Sequence, residues 1–260
     1  MALRILVCVK RVPAPGARIT LTADHRAIDT KNLGFTTSPH EECAVEEAIR
    51  IVEKHGGSAT VLTLGPAEAD EQLRYAVSVG ITNAVHVSHP SLTDGSDWDP
   101  QATARALADV ITSIEAVDGP FDVILFGNES ADAGGFQVGV RVAHALGRPI
   151  VNGIKGIEIG DGTLTAQRES SSGYEVYSLE MPAVLGVKEG LNLPRYPTLP
   201  GRLKSKKAEV PVHVVEPVTG GLATESFDNA AEVVVQTTVL GRGPDAAGAI
   251  VDLIEELGLL

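Results

Sequence analysis

Residues 121–149 read FDVILFGNESADAGGFQVGVRVAHALGRP, and this stretch decides the expected fold. Its apolar run at residues 123–127 predicts a buried β-strand. A polar, glycine-rich turn follows at once, and helical spacing of apolar residues predicts a helix over 136–146. A strand that leads directly into such a turn and helix is the unit from which open α/β sheets are built.

The turn after this strand predicts a binding site for an anionic group. In open α/β sheets, ligands lie beyond the carboxyl ends of the strands, where loop N–H groups and a helix N-terminus favour phosphate. Gly127, Gly134 and Gly135 permit close approach of the backbone. Ser130 and Asp132 can bond sugar hydroxyls or cap the helix. The pattern alone also fits a capped turn whose glycines only allow tight packing, so a nucleotide site is a hypothesis at this point.

The same strand-then-helix pattern occurs three more times before residue 121. The predicted strands are residues 4–9, 60–63 and 84–87, and the predicted helices begin near residues 38, 68 and 101. At the first of these helices, Ser38 is the expected N-cap and Pro39 the first helical residue. Four such units in succession predict an α/β fold, with an open, mainly parallel, Rossmann-like sheet and helices on both faces.

After residue 149 the pattern changes to period-two alternation. Segments 154–159, 163–169 and 173–180 alternate around glycine and serine turns, which predicts an antiparallel ribbon at the edge of the sheet. An apolar strand at residues 183–187 is expected to return to the core. The predicted nucleotide-binding core therefore spans residues 1–190.

The last part of the chain divides into two predicted segments. Residues 191–207 contain three prolines and a basic cluster, which predicts an exposed, ordered loop. Residues 208–260 predict an extended C-terminal arm with an amphipathic helix over 244–257. Because one strand and one helix cannot bury their own apolar faces, we expect this arm to pack on another surface.

Bulk composition excludes several classes of function. A net charge of −13 and a pI near 4.9 argue against nucleic acid or an anionic membrane as the main partner. The two cysteines, Cys8 and Cys43, lie in apolar contexts typical of reduced, buried thiols, and no Cys/His spacing predicts a metal site. No apolar run reaches the length of a membrane span, so a cytoplasmic protein without membrane insertion is expected.

No catalytic constellation is predicted. The seven histidines are scattered, none stands beside a candidate nucleophile with an acidic partner, and we expect them on the surface or on helix faces. The chain also lacks the GxxxxGK[ST] loop of P-loop ATPases. We therefore expect no bond-making catalysis by this chain.

Six segments, in consistent order, resemble the beta subunit of electron-transfer flavoprotein over essentially the whole chain. They are ILVCVKRV (5–12), AVEEAIRI (44–51), TLGPAE (63–68), FGNESADAGGFQVG (126–139), QRESSSGYEVYSLEMPAVLGV (167–187) and LPRYPTLPGRLKSKK (193–207). The resemblance implies a fold like that of the adenine nucleotide alpha hydrolases. It also implies a heterodimer with an alpha subunit that carries most of the FAD, while the beta subunit buries an AMP.

The resemblance further implies how such a protein works. Electrons pass from flavoprotein dehydrogenases, such as the acyl-CoA dehydrogenases of fatty acid β-oxidation, to a quinone oxidoreductase. The flavin does the redox chemistry, and protein groups position it. The C-terminal arm is then expected to pack on the alpha subunit.

The resemblance carries two sets of residues into this sequence. The implied nucleotide-binding residues are Cys8, Val9, Lys10, Ser38, Pro39, His40, Glu41, Leu64, Gly127, Asn128, Glu129, Ser130, Ala131, Asp132, Ala133, Gly134, Gly135, Phe136, Gln137 and Val138. The implied partner-binding residues are Tyr196, Pro197, Leu199, Pro200, Arg202 and Lys204. Leu199 occupies the position of the leucine that anchors the family to partner dehydrogenases. The alternative for Leu199 is that it packs back onto its own domain.

Other functions remain open from the sequence. Electron-bifurcating relatives hold a second FAD in place of AMP and oxidise NADH. Their turn shares residues 137–139 with this chain, but it has a Thr-Ala pair where Phe136 stands here, which favours AMP. A free-standing adenine-nucleotide-binding protein would form a homodimer without an alpha chain. An adenylating enzyme of similar fold would carry an SGGxDS-like loop, which this sequence lacks.

Overall fold

A computed structural model describes residues 2–90, 98–216, 221–230 and 237–260. The strands, in chain order, are β1 (Leu3–Cys8), β2 (Val12–Pro13), β3 (Phe35–Thr36), β4 (Gly57–Leu64), β5 (Asn83–Ser88), β6 (Val123–Gly127), β7 (Ile150–Ile159), β8 (Thr163–Ser170), β9 (Gly173–Glu180), β10 (Ala183–Val187) and β11 (Val212–Val214). The helices are α1 (Pro39–His55), α2 (Asp70–Val79), α3 (Pro100–Asp118), α4 (Val138–Ala145), α5 (Leu199–Lys206) and α6 (Ala247–Glu256). A 3₁₀ turn precedes α2 and another precedes α6.

Nine of the described strands form one sheet in the order β11-β5-β4-β1-β6-β10-β7-β8-β9. Neighbours from β11 to β7 pair in parallel, whereas β7, β8 and β9 pair antiparallel. The predicted α/β fold, a mainly parallel sheet with an antiparallel ribbon at its edge, is therefore confirmed. The strands β2 and β3 form a separate two-stranded sheet.

Two apolar cores cover the two faces of the sheet. Alternate residues of β1 point to opposite faces, as the pleat of a strand requires. Ile5 and Val7 pack in a cluster with residues of α1 and α2. Leu6 and Cys8 pack in a second cluster with residues of α3 and α4. A strand buried on both faces explains why its sequence is an almost unbroken apolar run.

The segment predicted to be an exposed loop, residues 191–207, ends in a helix. Thr198 caps α5, since its hydroxyl oxygen accepts a hydrogen bond from the Gly201 N–H at 3.2 Å. The prolines of this segment predict a loop, but Pro200 lies in the first turn of the helix, where no N–H donor is needed. Arg74 of α2 then donates to the Ser205 carbonyl oxygen of α5 at 2.7 Å.

Two units divide the chain, Met1–Phe227 and Asp228–Leu260. The sequence predicts a C-terminal arm that begins at residue 208, but the first unit extends to Phe227, and β11 adds a strand to its sheet by pairing with β5. The sequence signal missed this because a three-residue strand is too short to show a period. Residues 217–220 and 231–236 of the predicted arm lie outside the described residues.

The second unit contains α6, which the sequence predicts as part of a helix over 244–257. All ten of its residues are at least partly exposed. Among the described helices, none combines the length and the apolar character needed to cross a membrane.

Candidate functional site

The sheet changes winding direction between β1 and β6. From β1 the chain proceeds outward through β4 to β5, and α3 then carries it back across to β6 on the other side of β1. Cys8 and Phe126 lie opposite each other near the carboxyl ends of these two strands. The loops that follow them diverge, and such a switch point is where open α/β sheets form a ligand crevice.

The first turn of α1 borders this crevice. Ser38 is its N-cap, and the Ser38 hydroxyl accepts a hydrogen bond from the Glu41 N–H at 3.2 Å. The Glu41 carboxylate accepts in return from the Ser38 N–H at 2.9 Å. This reciprocal capping box satisfies two donors that a helix start otherwise leaves unpaired. The N-cap and Pro39 at the first helical position are as the sequence predicts.

Glu41 also connects α1 to the end of β1. Its second carboxylate oxygen accepts a hydrogen bond from the Lys10 N–H at 2.8 Å, and the residue is only 5% exposed. Burial raises the pKa of this carboxyl to about 7, although hydrogen bonds from the backbone of Ser38 and Lys10 oppose the rise. Glu41 therefore links the start of α1 to the end of β1, which are two sides of the crevice. Its position in the first turn of a helix does not by itself indicate this role.

The end of β6 packs directly on the first turn of α1. A Cβ atom at Gly127 would lie 2.7 Å from the Cγ of Glu41 and 3.4 Å from the Cβ of His40. His40 in turn lies 3.5 Å from the Glu129 carboxylate, through its Nε2. Its Nδ1 accepts a hydrogen bond from the Glu189 N–H at 2.8 Å. The glycine is thus required here for close approach between a strand end and a helix.

The turn between β6 and α4 is tied to both of its neighbours. The Asn128 N–H donates to the Val187 carbonyl oxygen of β10 at 2.8 Å. On the other side, Lys10 and Asp132 form an ion pair at 2.7 Å across the crevice. Burial raises the pKa of Asp132, but attraction to Lys10 and hydrogen bonds from Lys10 and the Ala133 N–H outweigh it and hold the pKa below its ordinary value. The charge of Asp132 is therefore balanced by Lys10 within the protein.

The helix after this turn begins two residues later than the sequence predicts. Phe136 has a left-handed backbone, with φ of 54°, and such a residue interrupts helical geometry. As a result α4 starts at Val138, and residues 131–137 form an exposed surface. The Phe136 side chain is 54% exposed. Exposed glycine-rich backbone next to a helix start can offer N–H groups to an anion. The N–H groups of Ala133 and Gly134 are not among them, because they already donate to the Asp132 carboxylate and the Ser130 carbonyl oxygen.

The remaining wall comes from the ends of β1 and β4. The Thr63 hydroxyl donates to the Val9 carbonyl oxygen at 2.7 Å, which joins the two strand ends next to Leu64. Burial raises the pKa of the Cys8 thiol, so this cysteine stays protonated and unreactive. Behind Leu64, the buried ring of His86 contacts the Gly65 carbonyl oxygen at 3.0 Å. The expectation of surface or helix-face histidines is wrong for His86, which lies in the apolar run of β5.

The structure therefore brings most of the predicted nucleotide-binding residues to one place. The end of β1, the start of α1, the end of β4 and the turn after β6 meet around the switch point between β1 and β6. Lys10, Glu41 and Asp132 are in direct contact with residues of a neighbouring segment there. No group of three or more His, Cys, Asp or Glu side chains able to hold a metal ion occurs in the described ranges.

The predicted partner-binding residues lie in α5 and in the residues just before it. Leu199 is the first residue of α5 and is 72% exposed, and Tyr196 is 89% exposed. Lys204 and Lys206 occupy the last turn of α5, and Arg202 is also exposed. The alternative in which Leu199 packs back onto its own domain does not describe this arrangement.

Comparison with known proteins places these features in a family. A profile of the electron transfer flavoprotein domain matches residues 27–218. The chain is 35% identical over 213 residues to the electron transfer flavoprotein subunit beta of Mycobacterium tuberculosis, covering 80% of this chain and 77% of that protein. It is 36% identical over 170 residues to the protein of the same name from Bacillus subtilis, covering 65% and 63%. The corresponding protein of Dictyostelium discoideum is 28% identical over 252 residues, covering 89% and 97%.

Proposed function

Because this chain belongs to the electron transfer flavoprotein family, as a beta subunit, we propose that it binds AMP in the crevice between β1 and β6. Membership makes it part of an electron carrier that works with a flavin. The bound AMP would be a structural ligand that stabilises the subunit. The flavin, when bound, supplies the redox chemistry, and this chain would make or break no covalent bond itself.

The observation that carries the AMP proposal is the meeting of four predicted segments at the switch point. Ligands of open α/β sheets bind at such points. The turn after β6 fits a phosphate group in its chemistry, since Gly135 is exposed and nothing lies within 4 Å of a Cβ built there. The acidic Asp132 is already paired with Lys10, which limits its repulsion of a phosphate. Ser130 and Gln137 add polar side chains at the same turn.

We further propose that this chain forms a heterodimer with an alpha subunit. The alpha subunit would hold most of the FAD, and the beta subunit would help to position it. The C-terminal unit supports this proposal because α6 exposes apolar side chains, including Ile250, Val251, Leu253 and the following Leu257. A helix with apolar residues exposed in this way gains stability when a partner surface covers them. The cytoplasm is the proposed location.

The partner dehydrogenases would dock at the start of α5. A leucine held at the N-terminus of a short helix, between Thr198 and Pro200, loses little conformational entropy when it enters an apolar pocket. Arg202 and Lys204 would steer an acidic rim of the partner toward it in a protein whose net charge is −13. Electrons would then pass from dehydrogenases such as acyl-CoA dehydrogenases through the flavin to a quinone oxidoreductase.

One measurement tests the nucleotide proposal. Nucleotides extracted from the purified heterodimer should contain AMP and FAD in nearly equal amounts, as identified by mass spectrometry. Two FAD molecules and no AMP would establish the electron-bifurcating alternative instead. A homodimer that purifies without an alpha chain would indicate a free-standing nucleotide-binding protein.

A second experiment tests the docking proposal. Leu199→Ala should slow electron transfer from a reduced acyl-CoA dehydrogenase at limiting concentration by roughly 10-fold or more, as expected for loss of a buried anchor residue. Flavin content should stay the same. The matched control is Val117→Ala, which truncates a comparably exposed apolar residue on α3. Equal rates for the two variants would contradict the docking role.

A further inference from the structure

The chain that leads to α5 lies along α1 although it has no regular secondary structure. We call this segment, residues 189–195, the strap. At its start, the Glu189 N–H donates to the His40 side chain at 2.8 Å. One turn further along α1, the Asn192 side-chain amide donates to the Cys43 carbonyl oxygen at 2.9 Å. The strap therefore follows one face of α1 from its first turn toward its C-terminal end.

Arg195 ends the strap with a forked ion pair. Its Nε and Nη2 atoms lie 2.9 and 3.0 Å from the two carboxylate oxygens of Glu46. Its Nη1 and Nη2 atoms lie 2.7 and 2.9 Å from the two oxygens of Glu53, two turns further along the helix. The Arg195 N–H also donates to Glu46 at 3.2 Å. The guanidinium group of Arg195 thus binds two carboxylates, and the backbone N–H of Arg195 is held by one of them.

This ion pair differs from an ordinary surface salt bridge. Glu46 is only 6% exposed, so one side of the pair is shielded from solvent and salt. A bidentate arginine–carboxylate contact also fixes the orientation of both groups, which a lysine ammonium cannot do. The contact therefore sets the position of the Arg195 backbone and not merely its charge.

Residues 196 and 197 connect this ion pair to Thr198, the N-cap of α5. Tyr196 is 89% exposed and precedes the N-cap of α5 by two residues. On the far side, α5 is fixed to α2 at close range, since a Cβ built at Gly201 would collide with the Ser78 carbonyl oxygen. Leu199 thus stands between two anchors, the Arg195 ion pair before it and the contact of α5 with α2 after it.

We propose that Arg195 is a positioning residue for partner docking, because its forked ion pair with Glu46 and Glu53 holds the chain that presents Leu199. This inference rests on the docking role proposed for Leu199. Without the ion pair, residues 196 and 197 sample more conformations, and a partner must order them when it binds. Ordering a flexible segment lowers affinity without changing the chemistry that follows binding.

The test uses the complete heterodimer and an acyl-CoA dehydrogenase reduced by its acyl-CoA. Arg195→Gln should raise the KM for the heterodimer roughly 3- to 10-fold, the range expected for ordering one or two residues on binding. The kcat and the flavin content should not change. Arg195→Lys keeps the charge but loses the bidentate contacts, so its KM should lie between those of wild type and Arg195→Gln. The matched control is Arg105→Gln, which removes an exposed pair with Asp109 on α3 and should leave the KM unchanged.

Combining variants separates this inference from the docking proposal. If Arg195 acts through Leu199, the double variant R195Q/L199A should have the KM of L199A alone, because the positioned side chain is already absent. A raised KM for L199A with a normal KM for R195Q would overturn the role of Arg195 and leave the docking proposal intact. A normal KM for both would overturn both.

A second variant covers the case in which R195Q does not yield a folded heterodimer. Glu53→Gln removes only the exposed half of the fork, and Glu46 remains bound. It should raise the KM in the same direction by a smaller factor, with an unchanged kcat. An unchanged KM for this variant, in a heterodimer whose L199A variant is impaired, would also overturn the inference.

Discussion

At the scale of single residues, Glu41 joins three parts of the candidate site. One carboxylate oxygen caps α1 through the Ser38 N–H, and the other accepts from the Lys10 N–H at the end of β1. The Cγ of Glu41 also packs against the backbone of Gly127 at the end of β6. The backbone donors stabilise the charged form of this buried carboxyl, whereas burial itself disfavours the charge. This balance predicts that the free energy of unfolding depends measurably on pH through Glu41.

Glu41→Gln should change how stability depends on pH. Burial raises the folded-state pKa from 4.5 to about 7, so between these values the folded protein keeps a proton that the unfolded chain releases. The contribution of Glu41 to the free energy of unfolding is therefore full below pH 4.5 and is lost as the pH rises through 7. Relative to the variant, wild type should lose up to ~1.4 kcal/mol per pH unit in this window.

The measurement is chemical denaturation of both proteins at several values of pH from about 4.5 to about 8, which brackets the window of the linked proton. Glu180→Gln, at an exposed position on β9, is the matched control for removing one carboxylate. A constant difference between wild type and E41Q over this window would contradict the assigned pKa. The result does not depend on which nucleotide the crevice holds, provided that both proteins carry the same one.

At the scale of secondary-structure elements, the site depends on how closely β6 approaches α1. Gly127 is the last residue of β6, and its Cα faces the first turn of the helix without an intervening side chain. The sequence predicts glycines in this region for close approach, but it does not say which neighbour is close. In the structure the neighbour of Gly127 is the protein itself, whereas Gly135 faces open space.

These two glycines should therefore respond differently to the same substitution. Gly127→Ala places a methyl group 2.7 Å from the Cγ of Glu41, and such overpacking should reduce the free energy of unfolding by ~1–3 kcal/mol. Gly135→Ala, with nothing within 4 Å, should cost less than ~0.5 kcal/mol. Urea denaturation followed by circular dichroism measures both. Equal losses would mean that β6 and α1 are not in close contact.

The short helix α5 illustrates a limit of local patterns. Its sequence has low helix signal, with Pro200 and Gly201 in the first turn, so it is easily taken for a loop. It becomes a helix because Thr198 caps it and because α2 supplies a packing surface and a hydrogen bond from Arg74. Tertiary contact often overrides weak propensity in this way. The helical structure of residues 199–206 therefore depends on packing against α2 and not on the local sequence alone.

At the scale of the whole molecule, the described chain consists of two units of unequal character. The first unit buries two cores around a nine-stranded sheet. In the second unit, Ala246 is the only described residue that is buried, and α6 has none. A unit with so little core of its own should depend on another surface for its stability. This contrast predicts different consequences for the two units when the C-terminal one is removed.

Deletion of residues 228–260 should leave the sheet of the first unit folded but weaken the heterodimer. The far-ultraviolet circular dichroism of the truncated subunit should still report an α/β protein. Co-purification of a tagged alpha subunit should fall strongly, because the apolar residues of α6 would no longer be available to it. A truncated subunit that retains its alpha partner at full yield would contradict the proposed role of this unit.

The sequence by itself determined most of the elements of the sheet and their order along the chain. Strands such as β6, β9 and β10 have the bounds that the sequence predicts, because buried and alternating patterns are written locally. The N-cap at Ser38 follows equally from adjacent residues. The family also follows from the sequence alone, because six of its motifs occur in consistent order along the chain.

Only the tertiary structure decided which of these pieces touch. The position of β1 between β4 and β6, the pairing of β11 with β5, and the contacts of Glu41 and Arg195 join residues far apart in the chain. Sequence patterns do not indicate such contacts, because periodicity and capping involve only residues that are close together in the chain. The crevice exists because distant strand ends meet at one switch point, and that meeting is a property of the folded sheet.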